Sequence, residues 1–385
     1  MDNRENRKAF LLRILSYVLV AALASFATIL LLGHNTKLAQ LERVINTYFI
    51  GEVDETAMSD AAASAMIASL GDRWSYYISA QDYEAFNEKK TNSYVGIGIT
   101  IQARQDGIGF DIIQVEPDGP ASRAGILPGD ILVAVEDTAM EGVDSEVPVS
   151  LIRGNAGTYV QVTVLRDGKE MDFSVKRQKV LSVVAEGEML PGHIGYVRIN
   201  NFNTNCAKQT IEAIDTLTQQ GATALVFDVR NNSGGYVDEM NQILDYLLPE
   251  GDLFRSVDYD GRETVDKSDA KCLELPMCVL VNGYSYSAAE FFAAALQEYD
   301  WATVVGQPTT GKGYFQNTFR FSDGSAIGLS VGQYYTPNGV SLAENGGLTP
   351  DVVVEVDETT FAMIYAGALP KEEDPQLNAA LEALQ

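Results

Sequence analysis

From Ile194 to Gly306 the sequence alternates short, almost wholly apolar runs with amphipathic stretches, and loops rich in Gly, Asn or Ser follow the apolar runs. I-G-Y-V-R-I-N-N-F (Ile194–Phe202), A-L-V-F-D-V-R (Ala224–Arg230), M-C-V-L-V-N (Met277–Asn282) and A-T-V-V-G (Ala302–Gly306) read as strands. Between them, C-A-K-Q-T-I-E-A-I-D-T-L-T-Q-Q-G, Val237 to Leu248 and S-A-A-E-F-F-A-A-A-L-Q read as helices. Alternating strand and helix imply an α/β core with a mainly parallel sheet, because a parallel neighbour needs a crossover and the crossover helix covers the sheet face. In such sheets the loops at the strand C-terminal ends form the site. The loops Asn231–Gly235, Asn282–Ser287 and Gly306–Gly313 are therefore expected to converge on one edge.

Those loops carry a hydroxyl and an amine in suitable surroundings. Ser287 stands beside two alanines and Lys312 between two glycines, with Gln316 four residues further on. Small neighbours let a peptide backbone approach, and glycine brings main-chain N–H groups close. Only two histidines occur: His34 borders an apolar run and His193 sits in a Pro-Gly turn. A serine nucleophile in this chain would thus depend on a lysine base rather than a histidine. Such a lysine works only when neutral, which burial favours. Gln316 can orient it without adding a negative charge, and Ser287, opening a helix, lies where N–H groups and the helix dipole favour an oxyanion. Ser285 is the nearest rival nucleophile.

Residues 94–180 differ in character, with short β runs and turns. V-G-I-G-I-T-I-Q (Val95–Gln102) reads as one Gly-interrupted strand and G-F-D-I-I-Q-V (Gly109–Val115) as a second. G-P-A-S-R-A-G-I-L-P-G-D-I-L (Gly119–Leu132) reads as a helical turn, a Pro-Gly-Asp corner and a buried strand. With G-I-G-I, this segment resembles a PDZ domain in the permuted bacterial arrangement. The resemblance implies that a protein C-terminus docks as an added strand, its carboxylate held by the N–H groups of Tyr94, Val95, Gly96, Ile97, Gly98 and Ile99.

The α/β half resembles the C-terminal processing peptidases, or tail-specific proteases. The resemblance rests on N-N-S-G-G, N-G-Y-S-Y-S-A-A-E, G-K-G-Y-F-Q, G-Y-V-R-I-N-N-F, G-L-T-P-D and D-P-Q-L-N-A-A-L-E-A-L, and with the PDZ segment it covers roughly residues 70–385. It implies Ser287 as nucleophile, Lys312 as general base and Gln316 as the residue orienting the lysine. An oxyanion hole would be made by Ala288 N–H with that of Gly234 or Gly235. Arg153, in L-I-R-G, would couple tail binding to the catalytic half. The sequence departs from the family's pattern at Tyr286 and Ala289, where alanine and serine are usual, and at Ser233, where proline is usual. Tyr286 narrows access beside the nucleophile.

Two readings compete. G-Q-P-T-T-G-K-G has the outline of a phosphate-binding loop, but Gly313 replaces the magnesium-binding Ser/Thr and the following residues read as a strand. The other is a PDZ scaffold with an inert catalytic half, against which the intact Ser/Lys/Gln set speaks. Metal and cofactor are not called for: Cys206, Cys272 and Cys278 have no zinc-like spacing, although Cys272 and Cys278 lie close enough in sequence to pair. A net charge of −26 excludes nucleic acid as a partner by repulsion. Asp228 and Arg230 read as a structural ion pair.

Ile14 to Gly33 are 20 positions without a charge, preceded by Arg4, Arg7, Lys8 and Arg13. At 1.5 Å per residue that run spans about 30 Å. The expectation is an uncleaved single-pass anchor, N-terminus inside and the rest extracytoplasmic, with a cleaved signal peptide as the alternative. The expected organisation is 1–36 cytoplasmic tip and transmembrane anchor, 37–93 helical segment, 94–180 PDZ domain, 181–356 protease core and 357–385 C-terminal helical segment. The expected partner is a polypeptide with a free C-terminal tail, with a second copy of the chain or an adaptor as further partners; the 37–70 and 374–385 helices are where self-association would occur.

Overall fold

The computed structural model describes residues 13–23, 25 and 36–385. Its contacts divide the chain into two units, one ending at Gly71 and one running from Asp72 to Gln385. In the first, residues 13–23 are helical, and α1 (Lys37–Tyr48) and α2 (Glu55–Ala68) follow, started by Thr36 and Asp54 side chains accepting from Ala39 N and Ala57 N. No helix among the described residues is long and apolar enough to cross a membrane. The 14–33 run expected to do so lies partly outside the described residues.

The second unit opens with β1 (Tyr76–Ile78) and α3 (Tyr83–Lys90). Residues 37–93, read above as one segment, therefore split at Gly71, because β1 pairs with a strand more than 200 residues downstream. The expected Val95–Gln102 strand also divides. β2 (Ser93–Gly96) pairs with β9 (Gln178–Leu181), and β3 (Ile99–Ala103) pairs with β4 (Phe110–Val115) in a different sheet. Gly98 turns the chain between them at φ +77°, a conformation that glycine adopts without strain. After α4 (Pro120–Ala124) come β5 (Ile131–Val135), β6 (Thr138–Ala139), α5 (Glu146–Ile152) and the hairpin β7 (Tyr159–Arg166) with β8 (Lys169–Lys176). The sheet order β3-β4-β5-β7-β8 leaves β3 on an edge, and Ile97, Phe110, Leu132, Val162 and Val175 fill this domain's own core.

β10 (Ala185–Leu190) and β11 (Ile194–Ile199) begin the α/β half. There follow α6 (Cys206–Gln219), β12 (Ala224–Asp228), α7 (Val237–Leu247), the hairpin β13 (Gly251–Asp258) and β14 (Glu263–Ser268), β15 (Met277–Val281), α8 (Ala288–Glu298) and β16 (Ala302–Gly306). Then come β17 (Tyr314–Arg320), β18 (Ala326–Tyr335), α9 (Leu342–Asn345), β19 (Val352–Val353), α10 (Glu358–Tyr365) and α11 (Pro375–Ala383). The central sheet has order β10-β11-β12-β15-β16-β19 and is parallel except at β10. β12 and β15 are buried at every position, as strands covered on both faces must be. One face packs against α8, buried from Ala288 to Leu296; the other receives Leu377 and Ala380 of α11. A second sheet joins β1, β13, β14, β17 and β18. The three cysteines are free, so Cys272 and Cys278 do not pair; Cys206 and Cys278 are buried.

The expected Asp228–Arg230 ion pair forms and extends further. Arg230 reaches Asp228 Oδ2 at 2.6 Å and Asp374 Oδ2 at 2.8 Å, all three groups buried, with Tyr196 Oη donating to Asp228 at 2.6 Å. Burial pushes Asp228 up, but the Arg230 charge and these hydrogen bonds outweigh it and hold the carboxyl below its usual range. The cluster fastens the end of β12 to the start of α11. Arg230→Met leaves two buried carboxylates without a cation, so urea unfolding of that variant is expected to show a loss of about 3–5 kcal/mol.

Candidate active site

The three loops meet as expected. Asn231 and Asn282 exchange hydrogen bonds, Asn231 N to Asn282 Oδ1 at 3.0 Å and Asn282 Nδ2 to Asn231 Oδ1 at 2.9 Å. Tyr286 N donates to Asn232 O, and Thr310 N to Ser285 O. Ser285, the rival nucleophile, is fully buried and donates to Val229 O at 2.8 Å, which spends its hydroxyl on structure.

Ser287 stands at the N-terminus of α8 with φ 59° and ψ −129°. That backbone region costs a non-glycine residue of order 1–3 kcal/mol, and the sharp bend it makes projects the side chain into the cavity. Glu290, one turn later, is fully buried and holds the bend. Its Oε2 accepts from Ser287 N at 2.9 Å and Lys312 N at 2.8 Å; its Oε1 accepts from Gly311 N at 2.6 Å and Thr309 Oγ1 at 2.5 Å. One carboxylate thus ties the serine loop to the lysine loop. The same bonds dispose of the phosphate-loop reading: the N–H groups of Gly311 and Lys312 are already engaged, and β17 rather than a helix follows.

Ser287, Lys312, Gln316 and Gly235 line one cavity of about 630 Å³, floored by aromatic side chains including Tyr76, Phe86 and Tyr236. The Lys312 Nζ lies 4.9 Å from the Trp74 ring centroid and 5.9 Å from that of Tyr286, and the two rings are 5.8 Å apart. Tyr286, expected to narrow access, therefore also flanks the lysine. Burial lowers the Lys312 amine to about 8, assisted by the charge of Lys90 and opposed by Glu290 and Asp72. Gln316 sits where the β17–β18 register shifts between Phe315 and Gln316, a bulge that re-aims a side chain. Its Nε2 donates to Ser330 Oγ at 3.0 Å and Tyr314 O at 3.2 Å. Ser330 N donates to Ser75 Oγ, which donates to Asp72 Oδ2 at 2.6 Å.

The two glycines of N-N-S-G-G differ in environment. Gly234 N is occupied by Asn232 Oδ1 at 2.8 Å, and a side chain there would collide with Ser287 and Ala288 N. Gly235 bridges to Phe202 through the Gly234 carbonyl and Tyr236 N–H, which leaves its own N–H over. On the PDZ side, Tyr94, Val95 and Gly96 lie in the β2–β9 ribbon, whereas Ile97, Gly98 and Ile99 lead into the edge strand β3. Arg153 ends α5; its guanidinium is 3.9 Å from Glu88 and 5.4 Å from the Tyr94 ring centroid. Among the described residues no group of three His, Cys, Asp or Glu is arranged to hold a metal.

Sequence reasoning missed Glu290, Trp74 and Lys90. For Glu290 a signal existed, since S-A-A-E has the spacing of a capping box. Trp74 and Lys90 reach the site from 213 and 197 residues before Ser287, and no local pattern marks them.

The profile described as "Peptidase family S41" matches residues 193–354, and that of the PDZ domain residues 95–176. The chain is 30% identical over 367 residues to the carboxy-terminal processing protease CtpA of Bacillus subtilis, covering 91% of this chain and 78% of that one. It is 29% identical over 361 residues to a CtpA-like serine protease of Staphylococcus epidermidis, covering 90% and 73%. A solved structure assigned to the S41 proteases, from Bacteroides fragilis, shares the fold at a TM-score of 0.53 and 18% identity, covering 87% of this chain and 92% of that one.

Because Glu290 accepts from three backbone N–H groups and one hydroxyl, Glu290→Gln turns an NH2 group against donors. Cleavage is expected to fall at least about 100-fold and stability by about 2 kcal/mol or more, read by peptide hydrolysis and urea unfolding.

Proposed function

This chain belongs to peptidase family S41 and is a serine-type peptidase with a PDZ domain; from that premise we propose that it cleaves polypeptides with a Ser287–Lys312 dyad after capturing their C-terminal tails. The observation that carries the reading is the Glu290 carboxylate, which holds the Ser287 and Lys312 backbones to one group inside one cavity. Ser287 Oγ attacks the scissile carbonyl carbon as Lys312 Nζ takes its proton. The oxygen gains negative charge, which the N–H groups of Ala288 and Gly235 stabilise; Gly234 is the weaker partner because its N–H is engaged. The Lys312 ammonium then returns the proton to the leaving amine, which departs; the neutral Lys312 amine next deprotonates a water that hydrolyses the acyl-enzyme, and that proton passes to Ser287 Oγ. Gln316 positions the lysine.

Ile97, Gly98 and Ile99 receive the tail carboxylate, and the tail adds a strand to β3. Arg153 links this event to catalysis through Glu88 on α3, whose Oε1 also accepts from Val95 N at 3.4 Å. The uncharged 14–33 run supports membrane attachment with the catalytic part outside the cytoplasm.

With an unfolded protein bearing a free apolar C-terminus, wild type is expected to cleave, while Ser287→Ala and Lys312→Ala fall at least about 1,000-fold. Cleavage by Ser287→Ala would falsify the dyad. Since only neutral Lys312 accepts the proton, kcat/KM is expected to rise with pH through about 8 and then level off. Arg153→Ala removes a half-exposed pair worth at most about 1 kcal/mol, so stimulation by a tail peptide should drop no more than about fivefold. Stimulation at the wild-type level would take Arg153 out of the coupling.

A further inference from the structure

Lys90 closes α3 and lines the same cavity as Ser287 and Lys312. Its backbone is fixed to the loop after β11: Thr204 N and Oγ1 donate to the Lys90 carbonyl at 3.4 and 3.3 Å, and Asn203 Nδ2 donates to that of Lys89 at 3.1 Å. Its Nζ lies 5.6 Å from the Tyr236 ring centroid and 5.9 Å from that of Phe86. Both aromatic faces favour a cation at that point. None of the ion pairs among the described residues involves Lys90. In a chain of net charge −26, a half-buried lysine outside any of these ion pairs, lining the same cavity as a second half-buried lysine, calls for a reason.

We propose that Lys90 is a positioning residue for the cleavage reaction: its ammonium, seated on Tyr236 and Phe86, repels a proton from Lys312 and keeps that amine able to act as a base near neutral pH. The proposal rests on the reading of Lys312 as the general base. Two like charges on the wall of one cavity disfavour each other, and Lys90, held charged on its two aromatic faces, makes Lys312 the readier of the two to give up its proton. Burial lowers the proton affinity of Lys90 as well, but Lys312 also feels the charge of Lys90. The other charged groups facing Lys312 are Asp72, ahead of β1, and Glu290, on α8; both favour its proton. Asp238 of α7 and the phenols of Tyr76, Tyr83, Tyr236, Tyr314 and Tyr334 complete the titratable wall of the cavity. Trp74 and Tyr286 also favour a charged Lys312, so the repulsion offsets a local attraction.

The test is the pH dependence of kcat/KM from about pH 6 to 10 for the full chain as wild type, Lys90→Met, Lys90→Gln, Lys90→Arg and Lys312→Ala. In Lys90→Met and Lys90→Gln the rising limb should move up by about one pH unit, giving about a tenfold loss at pH 7 that disappears at pH 10. Lys90→Arg, which keeps the charge, should keep the wild-type midpoint. An unmoved midpoint in both neutral variants, or an equal loss at every pH, overturns the proposal while leaving the dyad intact. Cleavage by Lys312→Ala at the wild-type rate removes the base itself and with it this role for Lys90.

Discussion

The catalytic half depends on one carboxylate. Glu290 is buried in a helix whose other buried residues are alanine, phenylalanine and leucine, and its two oxygens accept from Ser287 N, Lys312 N, Gly311 N and Thr309 Oγ1. Without it, four donors at the meeting of two loops would be buried unpaired, each costing about 1–3 kcal/mol. With it, the strained backbone at Ser287 is held, and the G-K-G segment is drawn against the start of α8. The glycines on either side of Lys312 are then explained by packing: a side chain at Gly311 would strike the backbone of Gly346 and Gly347, and one at Gly313 would strike Ala343.

Within that frame, opposing forces act on the lysine. Two aromatic rings and two carboxylates favour its charged form, while burial and a second lysine disfavour it. Burial is the largest single influence, and the balance leaves the amine at about 8. An amine there is partly neutral at physiological pH and still basic enough to take a serine proton, the compromise general-base catalysis requires. The serine reaches the cavity at the cost of backbone strain, and the lysine is kept from its preferred protonation state. Both are consequences of a fold that is rigid around Glu290.

Much of this was legible in the sequence. The alternation of apolar runs and amphipathic helices placed β11, β12, β15 and β16 in one parallel sheet, because a strand buried on both faces has no polar positions to confuse with a loop. The convergence of three loops followed from topology alone, Ser287 and Lys312 stood out by their small neighbours, and Gln316 by its place four residues after the lysine. The rest depends on contacts that sequence pattern does not encode. Val95–Gln102 read as one strand because glycine is silent about direction, and only the φ of Gly98 separates the ribbon from the PDZ sheet. The bulge at Gln316 leaves no trace in composition. Trp74 and Lys90 arrive through a pairing of β1 with β18 and a docking of α3, both joining distant parts of the chain.

Catalysis by this dyad requires that Lys312 be partly neutral in the resting enzyme. Its protonation state can be read directly by NMR titration of protein carrying 13C-labelled lysine, with the Lys312 signal assigned through Lys312→Arg. The structure predicts a midpoint at about 8 for that lysine. A midpoint near 10.4, that of a solvated lysine, would contradict it, since a fully protonated amine could not take the proton from Ser287.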